Sequence, residues 1–321
     1  MNPVIIAATA SAAASTPFSD ASSIRARPRS VIADLYRAGG TIERTCYVLA
    51  AVMVTSGVVH LAPAAVIGAP WSGPVSLRKA VTFGVSFGVL LALLTAVTRS
   101  TRSGPLLRRW LLGALALASV GEVLAATVLG WRRVTAQTVT AAPLDVALGR
   151  SGAVTGAVLV LALVGCAALS TRPAPDTPTS MRLAVLAGHL GLLVGSAIGV
   201  TMIVRSVIAA DDAAEVVIAS GGGVSLVPAH LLALSGVVVL PGLARTLTKS
   251  RLTERRRVAA VALAVAGQAV LTGVVAVEAL AGIDPLAQVQ APLPPTVLAA
   301  TGAVALLAAA TWTAVSRVRG R

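Results

Sequence analysis

The chain is poor in almost everything from which soluble chemistry is built. Its 321 residues include two Cys, three His, two Tyr, three Phe and four Trp, and aromatic residues make up only 3%. That is too few for a base-stacking platform on nucleic acid. Acidic residues number 12 against 26 Lys and Arg, and only two of the latter are Lys. No Walker loop, nucleophile elbow, His-Glu-x-x-His or zinc-spaced Cys pair occurs, and the run Gly221 to Gly223 is too short and misplaced to cradle a phosphate. An enzyme is thereby confined to chemistry within a membrane. Cys46 and Cys166 both fall toward the reducing side of the topology derived below, which argues against a structural disulfide and for small buried thiols.

What is abundant is apolar surface. Hydrophobic residues make up 56% of the chain and charged ones 12%, values a soluble protein of this length would carry only by exposing large apolar patches. A spanning helix needs about 20 apolar residues. Eight segments meet that length, near Thr45 to Gly68, Ala80 to Thr98, Trp110 to Trp131, Gly149 to Leu169, Arg182 to Val204, Leu226 to Leu247, Val258 to Ala281 and Thr296 to Val315. Twenty of the 26 cations lie in alternate gaps, among them Arg25, Arg99, Arg108, Arg172, Arg182 and the cluster Arg245 to Arg257. Cationic loops resist translocation, so the richer side is expected to be cytoplasmic, with both termini there. The net charge of +14 then reports orientation and contact with anionic headgroups, with no nucleic-acid partner. Trp71, Trp110, Trp131 and Trp312 lie near segment ends, as an interfacial belt requires.

The expected organisation is all-α: a disordered cytoplasmic tail over 1–42, a polytopic helical bundle of about eight spans over 43–316, and a short basic cytoplasmic end over 317–321. Pro3 to Ala14 is apolar but has no basic residue before it, unlike a secretory signal. The excess of Ala, Val, Leu and Arg is the usage of a high-GC bacterial genome, and the membrane expected for the bundle is the cell (plasma) membrane. Small residues at four-residue spacing mark helix contacts: Gly84 and Gly88, Gly152 and Gly156, and Gly191, Gly195 and Gly199. The same Gly-rich faces offer a route to an oligomer. Pro241 sits inside segment six, where it removes a backbone bond and kinks the helix.

An ionisable side chain at bilayer depth costs several kcal/mol, roughly 2.5–3.5 on insertion scales, unless it finds a partner or water. His60, Glu122, His189, His230 and Glu278 all fall at such depth, and Gln268 adds an inner polar group. Glu122 lies near the middle of segment three, His189 in the inner third, and His60, His230 and Glu278 in the outer third. Three readings compete for this set. The side chains hydrogen-bond across helices and fix packing; or they line a cavity that relays protons or binds a small solute; or His60 and His230 face each other at matching depth and ligate a haem or metal. Against the last, His189 has no inner His partner to complete a dihaem arrangement.

In the outer loop after segment three, Arg132 and Arg133 run against the charge rule. They either hold an anionic headgroup or substrate bidentately, or snorkel to lipid phosphate and pair with Asp145. The other outer loop, with Asp211, Asp212 and Glu215, has no cation-site spacing. The link Ala69 to Lys79 is apolar between Trp71 and Arg78-Lys79, so it is expected to lie along the outer surface.

Several stretches are similar to an uncharacterised family of bacterial, largely actinobacterial, multi-pass membrane proteins. These are Gly73-Pro74-Val75-Ser76 with Arg78-Lys79, Phe83-Gly84-Val85-Ser86-Phe87-Gly88, Glu122, Trp131-Arg132, Asp145, Gly188-His189, and His230 with Leu240-Pro241. The resemblance covers most of Thr45 to Leu247 and implies a topology and a polar site, without an activity. Where the family often carries a Ser-His-Phe-Asn-like tract and a second His, this chain has Thr135-Ala136-Gln137-Thr138 and Ser235. Two potential haem or metal ligands are thereby missing. The functional expectation is small-solute or proton-linked transport of an unidentified substrate through a cavity touching Glu122, His60, His230 and Glu278. The alternatives are a haem-binding or quinone-linked redox protein, or a scaffold subunit.

Overall fold

A computed structural model describes residues 35–66, 77–99, 101–134, 142–211 and 225–283. The tail up to residue 34, Gly73 to Ser76, Thr135 to Thr138, Asp212, Glu215, Gly221 to Gly223, the expected eighth span, the C-terminal end, and Trp71 and Trp312 lie outside the described residues. Among those described, every regular element is an α-helix: α1 (Thr41–Val59), α2 (Leu61–Val66), α3 (Arg78–Thr98), α4 (Pro105–Arg132), α5 (Pro143–Ser170), α6 (Thr179–Asp211), α7 (Val227–Thr248) and α8 (Glu254–Leu280). Seven helices, counting α1 and α2 as one, are long and apolar enough to cross a membrane, which makes the chain a multi-pass integral membrane protein by its own dimensions. Helices α4 and α5 start several residues before the apolar segments begin. Pro105 and Pro143 open them, where proline's missing N–H is no loss and its fixed φ suits the first turn.

The most extensive contacts are α6 against α7 and α1 against α3, and both run along glycines. Lipid tails are as apolar as leucine, so helices gain little by hiding from them and must approach closely to gain dispersion contacts. At the α1–α3 crossing a Cβ on Gly84 would lie 2.7 Å from the Gly57 Cα, and one on Gly88 2.7 Å from the Ala50 carbonyl. At α6–α7 a Cβ on Gly188 would meet the Val237 Cα at 2.9 Å and one on Gly191 the Ala233 carbonyl at 2.8 Å. Helix α5 departs from the sequence expectation of a flat face: Gly152 has open space beside it, and Gly156 faces the Glu122 carboxyl.

Two apolar clusters fill the bundle. One joins α1, α3, α4, α5, α6 and α7 through residues such as Cys46, Leu91, Leu94, Leu112, Leu163, Leu192 and Val237. The other joins α6, α7 and α8 through Ala184, Leu240, Leu247 and Val261. Both cysteines are free and buried, with the Cys46 Sγ facing the Leu112 carbonyl at 3.8 Å.

The arginine-rich end is tied across its loops. The Arg99 guanidinium donates to the carbonyls of Leu35 (2.9 Å) and Ala38 (2.8 Å). The Arg102 N–H donates to the Arg172 carbonyl at 2.7 Å, beside an antiparallel bridge between Thr101 and Pro173. Arg108 and buried Glu43 form an ion pair at 3.7 Å. The Glu254 carboxylate accepts the Ser180 N–H at 2.7 Å, so the first turn of α8 caps the first turn of α6. Together these bonds bring the connections 99–104 and 171–178 and the start of α8 to one end of the bundle.

If backbone approach drives the α1–α3 contact, Gly84→Ala will lower the apparent stability in detergent by about 1–3 kcal/mol, the usual range for overpacking. Gly113→Ala, whose Cβ meets nothing within 4 Å, will be neutral or stabilising. Equal effects in a denaturant or thermal titration would refute the assignment.

Candidate functional site

Helix α4 supplies a ruler for depth. Trp110 near its start and Trp131 near its end are 73% and 51% exposed on the outside of the bundle. Their 21 intervening steps at about 1.5 Å each cover roughly 32 Å, close to the thickness of a bilayer's hydrocarbon core. The two indoles therefore mark the two interfaces. Glu122 sits about 14 Å from the Trp131 level and about 18 Å from the Trp110 level, near the midplane.

At that depth Glu122 meets Thr155 of α5, whose hydroxyl oxygen lies 2.6 Å from the carboxyl Oε1. Two further oxygens are within reach of the same hydroxyl, the carbonyls of Ser151 at 3.0 Å and Gly152 at 3.2 Å. Thr155 has one proton to give. Facing a carboxylate, it donates to Glu122; facing a protonated carboxyl, it accepts from Glu122 and donates back to its own helix. The pair accommodates both states by rotating one hydroxyl. Glycines make the room: Gly156 leaves space beside Glu122, and a Cβ on Gly121 would strike the Thr155 methyl at 2.7 Å. No ion pair to Glu122 forms among the described residues.

One level further along α4, Trp131 donates its indole N–H to the His60 Nε2 at 2.9 Å. That nitrogen must then be the unprotonated one, so Nδ1 carries the hydrogen and donates to the Ser56 carbonyl at 2.6 Å. Both ring nitrogens of His60 are engaged, and a haem or metal there would displace Trp131. The next residue, Arg132, makes a two-pronged ion pair with Asp145 on α5, one prong through Nε to Oδ1 and the other at 3.0 Å. Asp145 is 4% exposed. This fork binds Arg132 to the protein's own carboxylate, as one of the two sequence readings has it. Arg133 follows with φ 54°, a left-handed conformation that ends α4 in a six-to-one bond from the Val134 N–H to the Leu129 carbonyl. Its side chain is exposed.

The remaining candidates lie on α6, α7 and α8. His230 donates through Nδ1 to the Gly195 carbonyl of α6 at 2.8 Å, and its ring covers Gly199. His189 is 1% exposed; its Nδ1 donates to the Val185 carbonyl at 2.8 Å, and its Nε2 has no hydrogen-bond partner among the described residues. Gln268 donates to the Leu232 carbonyl (2.8 Å) and approaches the Ser235 hydroxyl (3.2 Å), bridging α8 to α7. Glu278 is 4% exposed at the end of α8, with no hydrogen bond to its carboxyl among the described residues. His60 and His230 thus take their partners in different helix pairs. Among the described residues no group of three His, Cys, Asp or Glu is arranged to hold a metal.

Sequence reasoning misses Thr155, the Trp131–His60 bond, and Glu43 and Glu254 as end ties. Thr155 carries a partial signal, a hydroxyl one residue before Gly156, which the sequence repeats at Ser151-Gly152. No protein-family model, curated protein or solved structure matches the chain, so its own residues carry the functional argument.

The tautomer is directly observable. In histidine-labelled protein, nitrogen NMR will show His60 with a protonated Nδ1 and a bare Nε2, and Trp131→Phe will move the Nε2 resonance. An Nε2-protonated ring, or no response to Trp131→Phe, would overturn the pairing.

Proposed function

We propose that the chain is a proton-linked carrier of a small solute in a bacterial plasma membrane, with Glu122 as the carboxyl that takes up and releases the proton. The observation that carries this reading is the partner of Glu122: a hydroxyl that can donate or accept, 2.6 Å away near the bilayer midplane. A carboxylate meant only to hold two helices together is better served by a cation, as Asp145 is by Arg132. A group that must change charge needs a partner indifferent to the change. His60, His230 and Glu278 would form the outer approach to that carboxyl, and the arginine-rich end would face the cytoplasm under the positive-inside rule.

A second reading, a scaffold subunit, draws on the fastening bonds of Gln268, His230 and Trp131, each of which joins one helix to another. The two differ at Glu122. A redox role for His60 would require its Nε2 to exchange the Trp131 bond for a metal, and visible absorbance of the purified protein reports that directly.

Reconstituted in vesicles, wild-type chain should couple an imposed pH gradient to solute flux and Glu122→Gln should reduce the coupled flux to background while remaining folded. Thr155→Ser should retain flux. Thr155→Val, which strands the carboxyl, should lose flux and cost about 1–3 kcal/mol of stability, the penalty of an unsatisfied buried polar group. Normal flux in Glu122→Gln would sink the carrier reading and leave the scaffold.

A further inference from the structure

Of the two sequence readings of Arg132, anion contact or partner of Asp145, the structure has the second. Unpaired guanidinium groups gather instead at the opposite end of the bundle. There the connections 99–104 and 171–178 are joined by the Arg102–Arg172 backbone bond and the Thr101–Pro173 bridge. Beside that joint lies an open cleft of about 370 Å³ lined by Arg102, Thr171, Arg172, Pro173, Pro175 and Arg182.

Three of these six residues are arginines, and none of the lining residues is acidic. The side chains of Arg102 and Arg172 are exposed and form no hydrogen bond or ion pair among the described residues. Arg182 is held in place: its Nε donates to the Thr177 carbonyl at 2.7 Å and its Nη2 to the Pro175 carbonyl at 2.9 Å. Those bonds engage one edge of the guanidinium and leave Nη1 free to donate. The backbone bond between the two connections sets the bases of Arg102 and Arg172 beside Arg182, so three like charges share one hollow. An anion resolves that repulsion, and the fork geometry of arginine suits phosphate oxygens. The depth agrees. The first turn of α4 begins about 8 Å on the aqueous side of the Trp110 level, and the cleft lies just before it, at the outer edge of the headgroup band where lipid phosphates and solution anions both reach.

We propose that Arg102, Arg172 and Arg182 form a phosphate-binding cleft, taking the phosphate of an anionic lipid headgroup or a free phosphate from solution. The site is separate from Glu122, and neither proposal depends on the other.

Native mass spectrometry of the full chain in detergent, titrated with phosphatidic acid or with phosphatidylcholine, measures the lipid arm. A thermal-shift titration with inorganic phosphate, against sulfate-free chloride of equal ionic strength, measures the soluble arm. Arg102→Gln and Arg172→Gln should each weaken the anion that binds by about tenfold, the effect of losing one charge-assisted contact. Arg109→Gln removes one charge from the same end outside the cleft lining and should change binding less than about twofold, as a screened surface charge does. Arg182→Gln also removes the two carbonyl bonds, so it serves only if its melting temperature matches wild type. Retention of phosphatidic acid over phosphatidylcholine, lost in the cleft variants, identifies a lipid source; stabilisation by inorganic phosphate alone identifies a soluble one. Equal losses in Arg109→Gln and the cleft variants, or no preference for phosphate in either arm, would overturn the proposal.

Discussion

Between the levels of Trp110 and Trp131 a group facing lipid finds no solvent to accept or donate a hydrogen bond. Every other property of the bundle follows from that constraint. Backbone groups must be satisfied within each segment, so the described elements are helices. Among the described residues His60, Glu122, His230 and Gln268 find partners on neighbouring residues or helices, whereas the buried Ser119 and Thr127 hydroxyls and the His189 Nε2 have none. Because burial from lipid yields little, cohesion comes from distance, and glycines at Gly57, Gly84, Gly188 and Gly191 set that distance.

The same constraint decided what could be read from the residues alone. Seven expected spans coincide with seven helices to within several residues at each end, because hydropathy and the length of a bilayer-spanning helix are one-dimensional quantities. The ends were less legible: helices α4 and α5 run beyond their apolar segments into the headgroup band, where proline starts them and hydropathy is blind. The polar residues were identifiable as costly, but not their partners. That Glu122 meets Thr155 depends on how α4 and α5 are rotated against each other, which no local pattern encodes. That Arg132 turns to Asp145 was one of two readings open in the sequence, and the choice rests on Asp145 being buried.

Charge and neutrality divide the molecule by depth. At the arginine-rich end, cations work on backbone carbonyls and loops, as Arg99 and Arg182 do. At the other end Arg132 is matched by Asp145. Between them, the ionisable groups that have partners among the described residues meet neutral ones: a hydroxyl for Glu122, an indole and a carbonyl for His60, carbonyls for His189 and His230. A neutral dipole can reorient when its partner gains or loses a proton, whereas a fixed cation would hold the partner in one state. The interior is thus arranged for change and the ends for permanence.

The spacing of the two α4 indoles bears on the membrane itself. A ruler of about 32 Å in an apolar layer of about 30 Å leaves room for a tilt of roughly 20° and little more. Both indoles face outward from the bundle, so a thicker bilayer would pull one of them below its interface, and a thinner one would press the helix further over. Because α4 also carries Glu122 and is bonded to α1 and α5 near its end, any such lean would be passed to the carboxyl. In a bundle so placed, bilayer thickness would act as a mechanical input, with lipid chain length reaching the central carboxyl through the lean of α4.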